Sequence, residues 1–209
     1  DSQVFFDALC ELCPNQELRL WAPDLFQEAS FLSPDNDFSH WAQRYEESLR
    51  ERAGAERVAL VGYSLGGRLA LHGLARICQS AAPLNISLAV FLSSNPGLVD
   101  KRLLRARRQW EREWAERFRA DGWDDLIRDW NQLSVFSHTG LVQRRQQDFS
   151  RRLLAVSLER WSVTRHEACL DDIKGLSQLW CFGSKDAKYR ALGERMLEQR
   201  LVRGVHFLA

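Results

Sequence analysis

Residues 57–75, RVALVGYSLGGRLALHGLA, join two regular elements through almost no loop. The apolar run 58–61 predicts a strand that is buried on both faces, and the residues after the corner predict a helix. Ser64 lies at the tip of the corner, with Gly62 and Gly66 two positions to either side. We expect both glycines to be required, because a Cβ at either would collide with the neighbouring strand or helix. The Ser64 hydroxyl is then expected to project to solvent at the carboxyl end of a sheet.

Helical and strand patterns alternate along most of the chain. A helix that follows Phe38 is expected to be capped by Asp37 or Ser39 and closed by Gly54. The other predicted helices cover residues 2–12, from the corner to about 80, and 187–199; the predicted strands are 18–23, 58–61, 86–94, 176–186 and 204–209. Strands separated by helices predict an α/β fold with a mostly parallel sheet and helices on both faces.

Residues 100–166 have a different pattern, because charged and aromatic residues recur there at helical spacing and no strand pattern occurs. A helical insertion between two strands is typical of a lid. We therefore predict a core in two parts, residues 1–99 and 167–209, with the lid at 100–166 between them.

Composition excludes several function classes. The 209 residues carry a net charge of only +1, which provides no long-range field for nucleic acid or an anionic membrane. No apolar run approaches the ~20 residues that cross a bilayer. Five cysteines, an odd number, favour a reduced cytoplasmic protein over a disulfide scaffold. A small-molecule ligand is the expected partner.

The strand, GxSxG corner and helix resemble the nucleophile elbow of the α/β-hydrolase family. In that family the acid follows the strand after the lid, where FGSKD supplies Asp186. A helix N-cap is an alternative role for Asp186, and the two roles are compatible. The motifs GYSLGGR, NPGL, RQWEREWAERF, DWNQLSVF and GSKDAKYRAL are similar, in this order, to the MenH lyases (SHCHC synthases) of menaquinone biosynthesis.

This second resemblance implies a reaction and a set of site residues. The reaction is the 2,5-elimination of pyruvate from the enolpyruvyl cyclohexene carboxylate SEPHCHC, which gives SHCHC and needs no metal or organic cofactor. Ser64, polarised by a histidine that an acid orients, would act as the base, and the backbone N–H of Leu65 would stabilise the developing oxyanion. The positions that match the family's other site residues are Tyr63, Arg68, Arg107, Trp130, Phe136 and Arg151, with Arg152 beside the last.

Arginine suits a substrate with several carboxylates, because it keeps its proton and orients a planar carboxylate through two hydrogen bonds. Each assignment has a simpler alternative. Arg107 lies in a segment whose glutamates offset many cations, so the run also fits a solvated helix face. Tyr63, Trp130 and Phe136 also fit ordinary core positions, although as pocket residues they would exclude water from the site.

The family pattern contains two parts that this sequence lacks: a His-Gly loop before the first helix and a Gly-His pair beyond the last strand. We expect both in a longer protein, so the 209 residues alone should fold poorly. His206, the only histidine after Asp186, is a weaker candidate for the base. His40, His72, His138 and His166 fit surface or packing positions. A complete chain would instead indicate a binding or degenerate role.

Two other function classes fit the same residues. An esterase, thioesterase or C–C hydrolase would use the same elbow, but its pocket would be apolar. A non-enzymatic binding module would not depend on Ser64 for turnover. Convergence of Arg68, Arg107 and Arg151 on one site would favour the lyase.

Overall fold

A computed structural model describes residues 2–12, 14, 17–25, 37–82, 84–97, 100, 102, 104–136, 143–166 and 169–208. The helices are α1 (Ser2–Leu12), α2 (Phe38–Ala53), α3 (Leu65–Gln79), α4 (Leu104–Ala120), α5 (Trp123–Asn131), α6 (Arg151–Arg160) and α7 (Ala187–Glu198). The strands are β1 (Val58–Tyr63), β2 (Ile86–Leu92), β3 (Gln178–Gly183) and β4 (Val205–Leu208). Single 3₁₀ turns occur at Ser134–Phe136 and Gln146–Asp148.

The four strands form one parallel sheet in the order β1-β2-β3-β4. Three successive β3 residues, Trp180, Cys181 and Phe182, are buried. Successive strand side chains point to opposite faces, so this sheet is covered on both sides. The α/β fold class predicted from the sequence is confirmed.

The strand predicted at residues 18–23 is wrong: the described segment 17–25 contains no strand. A strand needs a neighbouring strand to pair with, whereas this segment packs against α2. Trp21 stacks on Tyr45 with ring centroids 5.4 Å apart, and the Arg52 guanidinium lies 4.8 Å from the Trp21 ring centroid.

Helix α2 begins and ends where the sequence predicted. Of the two candidate caps, Asp37 is the one used: its carboxylate accepts the backbone N–H groups of Ser39 and His40 at 2.9 and 3.1 Å. Gly54 closes the helix at a φ of +53°, in the left-handed region that glycine adopts without strain.

Two hydrophobic clusters lie in the described part of the chain. The larger is formed by the sheet with α2, α3 and α7, and the smaller by α4 and α5 of the predicted lid. Helix α6 joins them, because its Ala155 belongs to the smaller cluster and its Val156 to the larger. No helix in the described ranges is both long and apolar enough to cross a membrane.

Two buried histidines connect α3 to the segment after α6. His72 Nε2 and His166 Nδ1 are 2.7 Å apart, and Cys169 Sγ lies 3.5 Å from His72 Nδ1. Phe38 stacks on the His72 ring at 4.3 Å. Burial, with a smaller contribution from nearby Arg68, lowers the pKa of His72 to about 4 and that of His166 to about 3. Both imidazoles are therefore neutral at pH 7, as packing residues would be.

These histidines predict that the fold loses stability in mild acid. Their pKa values are lower in the folded protein than the ordinary value of about 6.5, so below that pH the unfolded chain binds more protons. At pH 5 each histidine is expected to cost about 2 kcal/mol of unfolding free energy relative to pH 7.5. Urea unfolding at the two pH values measures the difference. His72→Gln/His166→Gln should remove this part of it, and His40→Gln, on an exposed ring, should not.

Candidate active site

Ser64 forms the corner between β1 and α3. Its φ of 49° lies in the left-handed region, which is strained for a residue with a Cβ and recurs at functional sites. The corner is fixed by the backbone N–H of Ser64, which donates to the Leu92 carbonyl at 2.9 Å. The Ser64 hydroxyl makes no capping bond to α3. Leu65 begins α3, and N–H groups in a first turn have no acceptor within their own helix.

The close approach behind the corner depends on Gly62 and Gly67. A Cβ on Gly62 would lie 2.5 Å from the Gly67 Cα, and a Cβ on Gly67 would lie 1.8 Å from Ser94 Oγ. Ser94 is buried, with its hydroxyl 3.4, 3.2 and 3.1 Å from the carbonyl oxygens of Gly62, Ser64 and Leu92. A Cβ on Gly66 would meet no described atom within 4 Å. The steric expectation was therefore right for Gly62 and wrong for Gly66, and it missed Gly67.

Arg68 lies one turn after Ser64 on α3. Its Nη2 donates to the Trp161 carbonyl at 3.1 Å, while its buried Nε has no hydrogen-bond partner among the described residues. Burial lowers the pKa of Arg68 to about 10, so the guanidinium remains charged at pH 7. A buried cation without a bonded carboxylate is costly, and a carboxylate ligand would complete its hydrogen bonding.

Arg107, on lid helix α4, is held on two sides. Its Nε donates to Glu111 Oε1 at 2.8 Å, and its guanidinium carbon lies 4.5 Å from the Trp110 ring centroid. The side chain is 41% exposed, and within the described ranges no residue accepts from its two Nη groups. Arg107 is also close enough to Arg68 to lower the pKa of that guanidinium.

Asp186 caps α7 at the carboxyl end of β3, where its Oδ1 accepts the Tyr189 N–H at 3.1 Å. The capping alternative is thus realised, and the carboxylate remains exposed. β1 and β3 both pair with β2, so the strands that carry Ser64 and Asp186 are about 10 Å apart. Both side chains lie at the carboxyl end of the sheet. At this separation a third group is needed between them to form a hydrogen-bonded relay.

Tyr189, which the sequence analysis missed, lies among the predicted site residues. Its ring stacks on Phe182 with centroids 5.5 Å apart. Burial raises the pKa of its hydroxyl, an effect that Arg68 opposes and Asp186 and Tyr63 reinforce. The structure therefore brings these residues within electrostatic range of one another. The sequence could have indicated Tyr189 as a site residue, because it lies three residues after Asp186, in the first turn of a helix that begins at the site.

His206 does not reach Ser64. It lies within β4, in register with Cys181 of β3, and its side chain is exposed. Two strands separate β4 from β1, which corresponds to about 14 Å. His40 lies in α2 with an exposed ring, and His72 and His166 form the buried pair beside α3. His138 lies outside the described residues.

The Arg151 side chain donates hydrogen bonds to the C-terminal end of α4. Its Nε donates to the Phe118 carbonyl at 2.6 Å, and its Nη2 donates to the Asp121 carbonyl and contacts that of Arg117 at 3.5 Å. These bonds satisfy carbonyl groups that a helix C-terminus leaves open. In the structure the Arg151 guanidinium is therefore bonded to the end of α4 and not to Arg68. Arg152 is exposed.

Trp130 and Phe136 belong to the aromatic packing of the lid. Trp130 makes edge contacts with Trp114 and Phe118, with centroids 4.9 and 5.1 Å apart, and Phe136 lies 6.1 Å from Trp130. Tyr63 is different, because it is 68% exposed at the end of β1. The alternative that these aromatic side chains occupy ordinary core positions therefore fits Trp130 better than it fits Tyr63.

A cavity of about 450 Å³ opens between the start of α2 and the lid. Its lining residues are Asp37, Phe38, Ser39, Arg108, Thr164 and Arg165. Neither Ser64 nor Arg68 lines it, so this cavity does not include the elbow. Within the described ranges, no cluster of histidine, cysteine and carboxylate side chains could hold a metal ion.

Comparison with known proteins agrees with this architecture. A model of the alpha/beta hydrolase family matches residues 6–208. The chain belongs to the alpha/beta hydrolase family. Among solved structures, MenH from S. aureus superposes with a TM-score of 0.68 at 19% identity, over 84% of this chain and 68% of the other. At that identity the likeness shows the shared hydrolase fold.

Curated relatives within the hydrolase family carry a more specific name. The 2-succinyl-6-hydroxy-2,4-cyclohexadiene-1-carboxylate synthase of Pectobacterium atrosepticum is 31% identical over 163 residues, which are 75% of this chain and 62% of the relative. The enzyme of the same name from Klebsiella pneumoniae is 33% identical over 148 residues, 66% of this chain and 55% of the relative. The chain thus spans a little over half the length of these relatives.

Proposed function

We propose that this protein eliminates pyruvate from SEPHCHC to form SHCHC, the reaction of menaquinone biosynthesis that gives its curated relatives their name. The observation that carries the proposal is Arg68, a charged guanidinium one turn after Ser64 whose buried Nε has no described partner. A carboxylate of the substrate would supply that partner. A neutral ester substrate has no anionic group to offer it.

In the proposed reaction Ser64 passes its hydroxyl proton to an imidazole and removes a ring proton from the substrate. The electron pair moves through the ring and the carbon–oxygen bond to the enolpyruvyl group breaks. The enolate of pyruvate leaves and takes the proton from the imidazolium to become pyruvate. The Leu65 N–H lies at the start of α3, where it can donate to an oxyanion. Asp186 would orient an imidazole between itself and Ser64, which accounts for the separation of about 10 Å between their strands.

The two arginines would bind separate carboxylates of one substrate. Arg68 belongs to the core helix α3 and Arg107 to the lid helix α4. Residues 100–166, lying over the elbow, would exclude water and strengthen both charge interactions. The exposed Tyr63 would lie against the substrate ring. We place the reaction in the cytoplasm, in line with the odd number of cysteines in the sequence.

The proposal is tested by supplying SEPHCHC to the full-length protein and measuring pyruvate release, with p-nitrophenyl ester cleavage measured in parallel. We expect pyruvate release and little ester cleavage. The reverse result would favour an esterase or thioesterase. Loss of both activities in a folded protein would favour a binding module.

Arg68→Met sharpens this assay, because it keeps an unbranched apolar stem and removes the guanidinium charge. Losing a charge-assisted carboxylate contact is expected to raise KM about a hundredfold. The matched control is Arg76→Met on the same helix, where Arg76 pairs with Glu46 at 2.7 Å and is 46% exposed. Arg76→Met should leave KM within about twofold. Equal KM values for the two variants would contradict a carboxylate site at Arg68.

A further inference from the structure

Glu111 is a nearly fully buried carboxylate on the lid, with 4% of its surface exposed. Arg107 Nε donates to its Oε1 at 2.8 Å, and the Ser162 hydroxyl donates to its Oε2. A buried charge persists when it is paired and hydrogen-bonded in this way. Glu111 therefore connects the lid cation to the segment that follows α6.

Ser162 is itself buried and fully bonded. Its oxygen accepts the Thr164 N–H at 2.9 Å and lies 2.7 Å from the Thr164 hydroxyl, while its own proton goes to Glu111. With one donor and two acceptor positions in use, the hydroxyl has a single favourable orientation. The Ser162 hydroxyl therefore holds the Glu111 carboxylate in a defined position.

The residue before Ser162 contacts the other arginine. The Trp161 carbonyl accepts from Arg68 Nη2 at 3.1 Å, and the Trp161 side chain is 1% exposed within the main core. Trp161 thus bonds Arg68 directly. The next residue, Ser162, is connected to Arg107 through Glu111. Because a planar peptide unit joins the Trp161 carbonyl to the Ser162 Cα, this chain of bonds couples the positions of Arg68 and Arg107.

We propose that Glu111 and Ser162 are positioning residues, which hold Arg107 of the lid at a fixed distance from Arg68 of the core so that both bind the carboxylates of one substrate. This inference rests on the proposed function. Glu111 also bonds Arg107 and offsets the effect of that cation on Arg68. The Nη edge of Arg107, which no described residue uses, is then presented towards the ligand.

The first measurement is citrate binding by titration calorimetry on the full-length protein, with citrate as a compact tricarboxylate probe. Glu111→Gln and Ser162→Ala are each expected to weaken binding about tenfold or more, since a displacement of about 1 Å in a binding group has effects of that size. The matched controls are Glu113→Gln, on an exposed glutamate of the same helix that accepts from Gln109 at 2.9 Å, and Ser157→Ala on α6. Both should bind like the wild type.

The second measurement separates positioning from general support of the fold. If Glu111 acts through Arg107, adding Glu111→Gln to Arg107→Ala should weaken citrate binding no further. In the pyruvate assay, Glu111→Gln should raise KM about tenfold while kcat changes less than about threefold. Equal citrate binding by wild type and Glu111→Gln, including undetectable binding by both, or additive losses in the double variant, would overturn the inference. Absence of pyruvate release from the wild type would instead count against the proposed function alone.

Discussion

Ser64→Ala is expected to lower the rate of pyruvate release at least about a thousandfold, because it removes the group that takes the substrate proton. The fold should remain intact, since the Ser64 hydroxyl makes no capping bond to α3 and the backbone N–H keeps its bond to Leu92. The measurement is kcat for pyruvate release with a thermal melt of each protein. Substrate binding should change little.

Ser93→Ala provides the matched control for Ser64. Ser93 also has a positive φ, at 45°, and follows β2 as Ser64 follows β1. The control should keep turnover within about threefold of wild type, because Ser93 has no part in the proposed chemistry. Pyruvate release by Ser64→Ala within tenfold of wild type would show that Ser64 is not the base.

Gly67→Ala is expected to destabilise the protein by about 3 kcal/mol or more. Its new Cβ would lie 1.8 Å from Ser94 Oγ and 2.9 Å from the Gly62 carbonyl oxygen, inside a region where the sheet cannot move aside. Urea unfolding of the full-length protein gives the change in unfolding free energy. Gly67→Ala/Ser94→Gly should recover part of the loss, because it removes the atoms in the closest contacts.

Gly66→Ala tests the same argument in the opposite direction. Gly66 belongs to the GxSxG motif, yet its Cβ would meet no described atom within 4 Å, and the residue is helical. Alanine there should raise the unfolding free energy by about 0.5 to 1 kcal/mol. Equal destabilisation by Gly66→Ala and Gly67→Ala would show that the motif glycines act through backbone conformation and not through packing.

Local patterns in the sequence were sufficient for most of the fold. The run into β1, the cap at Asp37 and the helical pattern of α7 each depend on residues close in sequence, so the helices and the four strands could be predicted. The strand prediction for residues 18–23 was wrong because a strand pattern does not reveal whether a partner strand lies beside it. Trp21 instead found an aromatic partner on α2.

The candidate site was predicted unevenly for the same reason. Ser64 and Arg68 follow from the corner itself, since a tight strand-to-helix turn determines where the next helical turn lies. Arg151 was placed by a motif match, but its guanidinium meets the carbonyl groups of α4, which are about thirty residues away in sequence. Tyr189 and Glu111 lie inside two of the quoted motifs, but the sequence indicated no role for either, because their neighbours come from distant parts of the chain.

The sequence alone therefore determined the strained serine corner, the order of helices and strands, and the resemblance to hydrolase-fold lyases. Only the tertiary structure decided which cations lie together, because Arg68 and Arg107 are brought into range through Trp161 and Ser162, far from both in the chain. Backbone conformation is set largely by neighbours in sequence, whereas the burial and pairing of a charge depend on packing between distant segments.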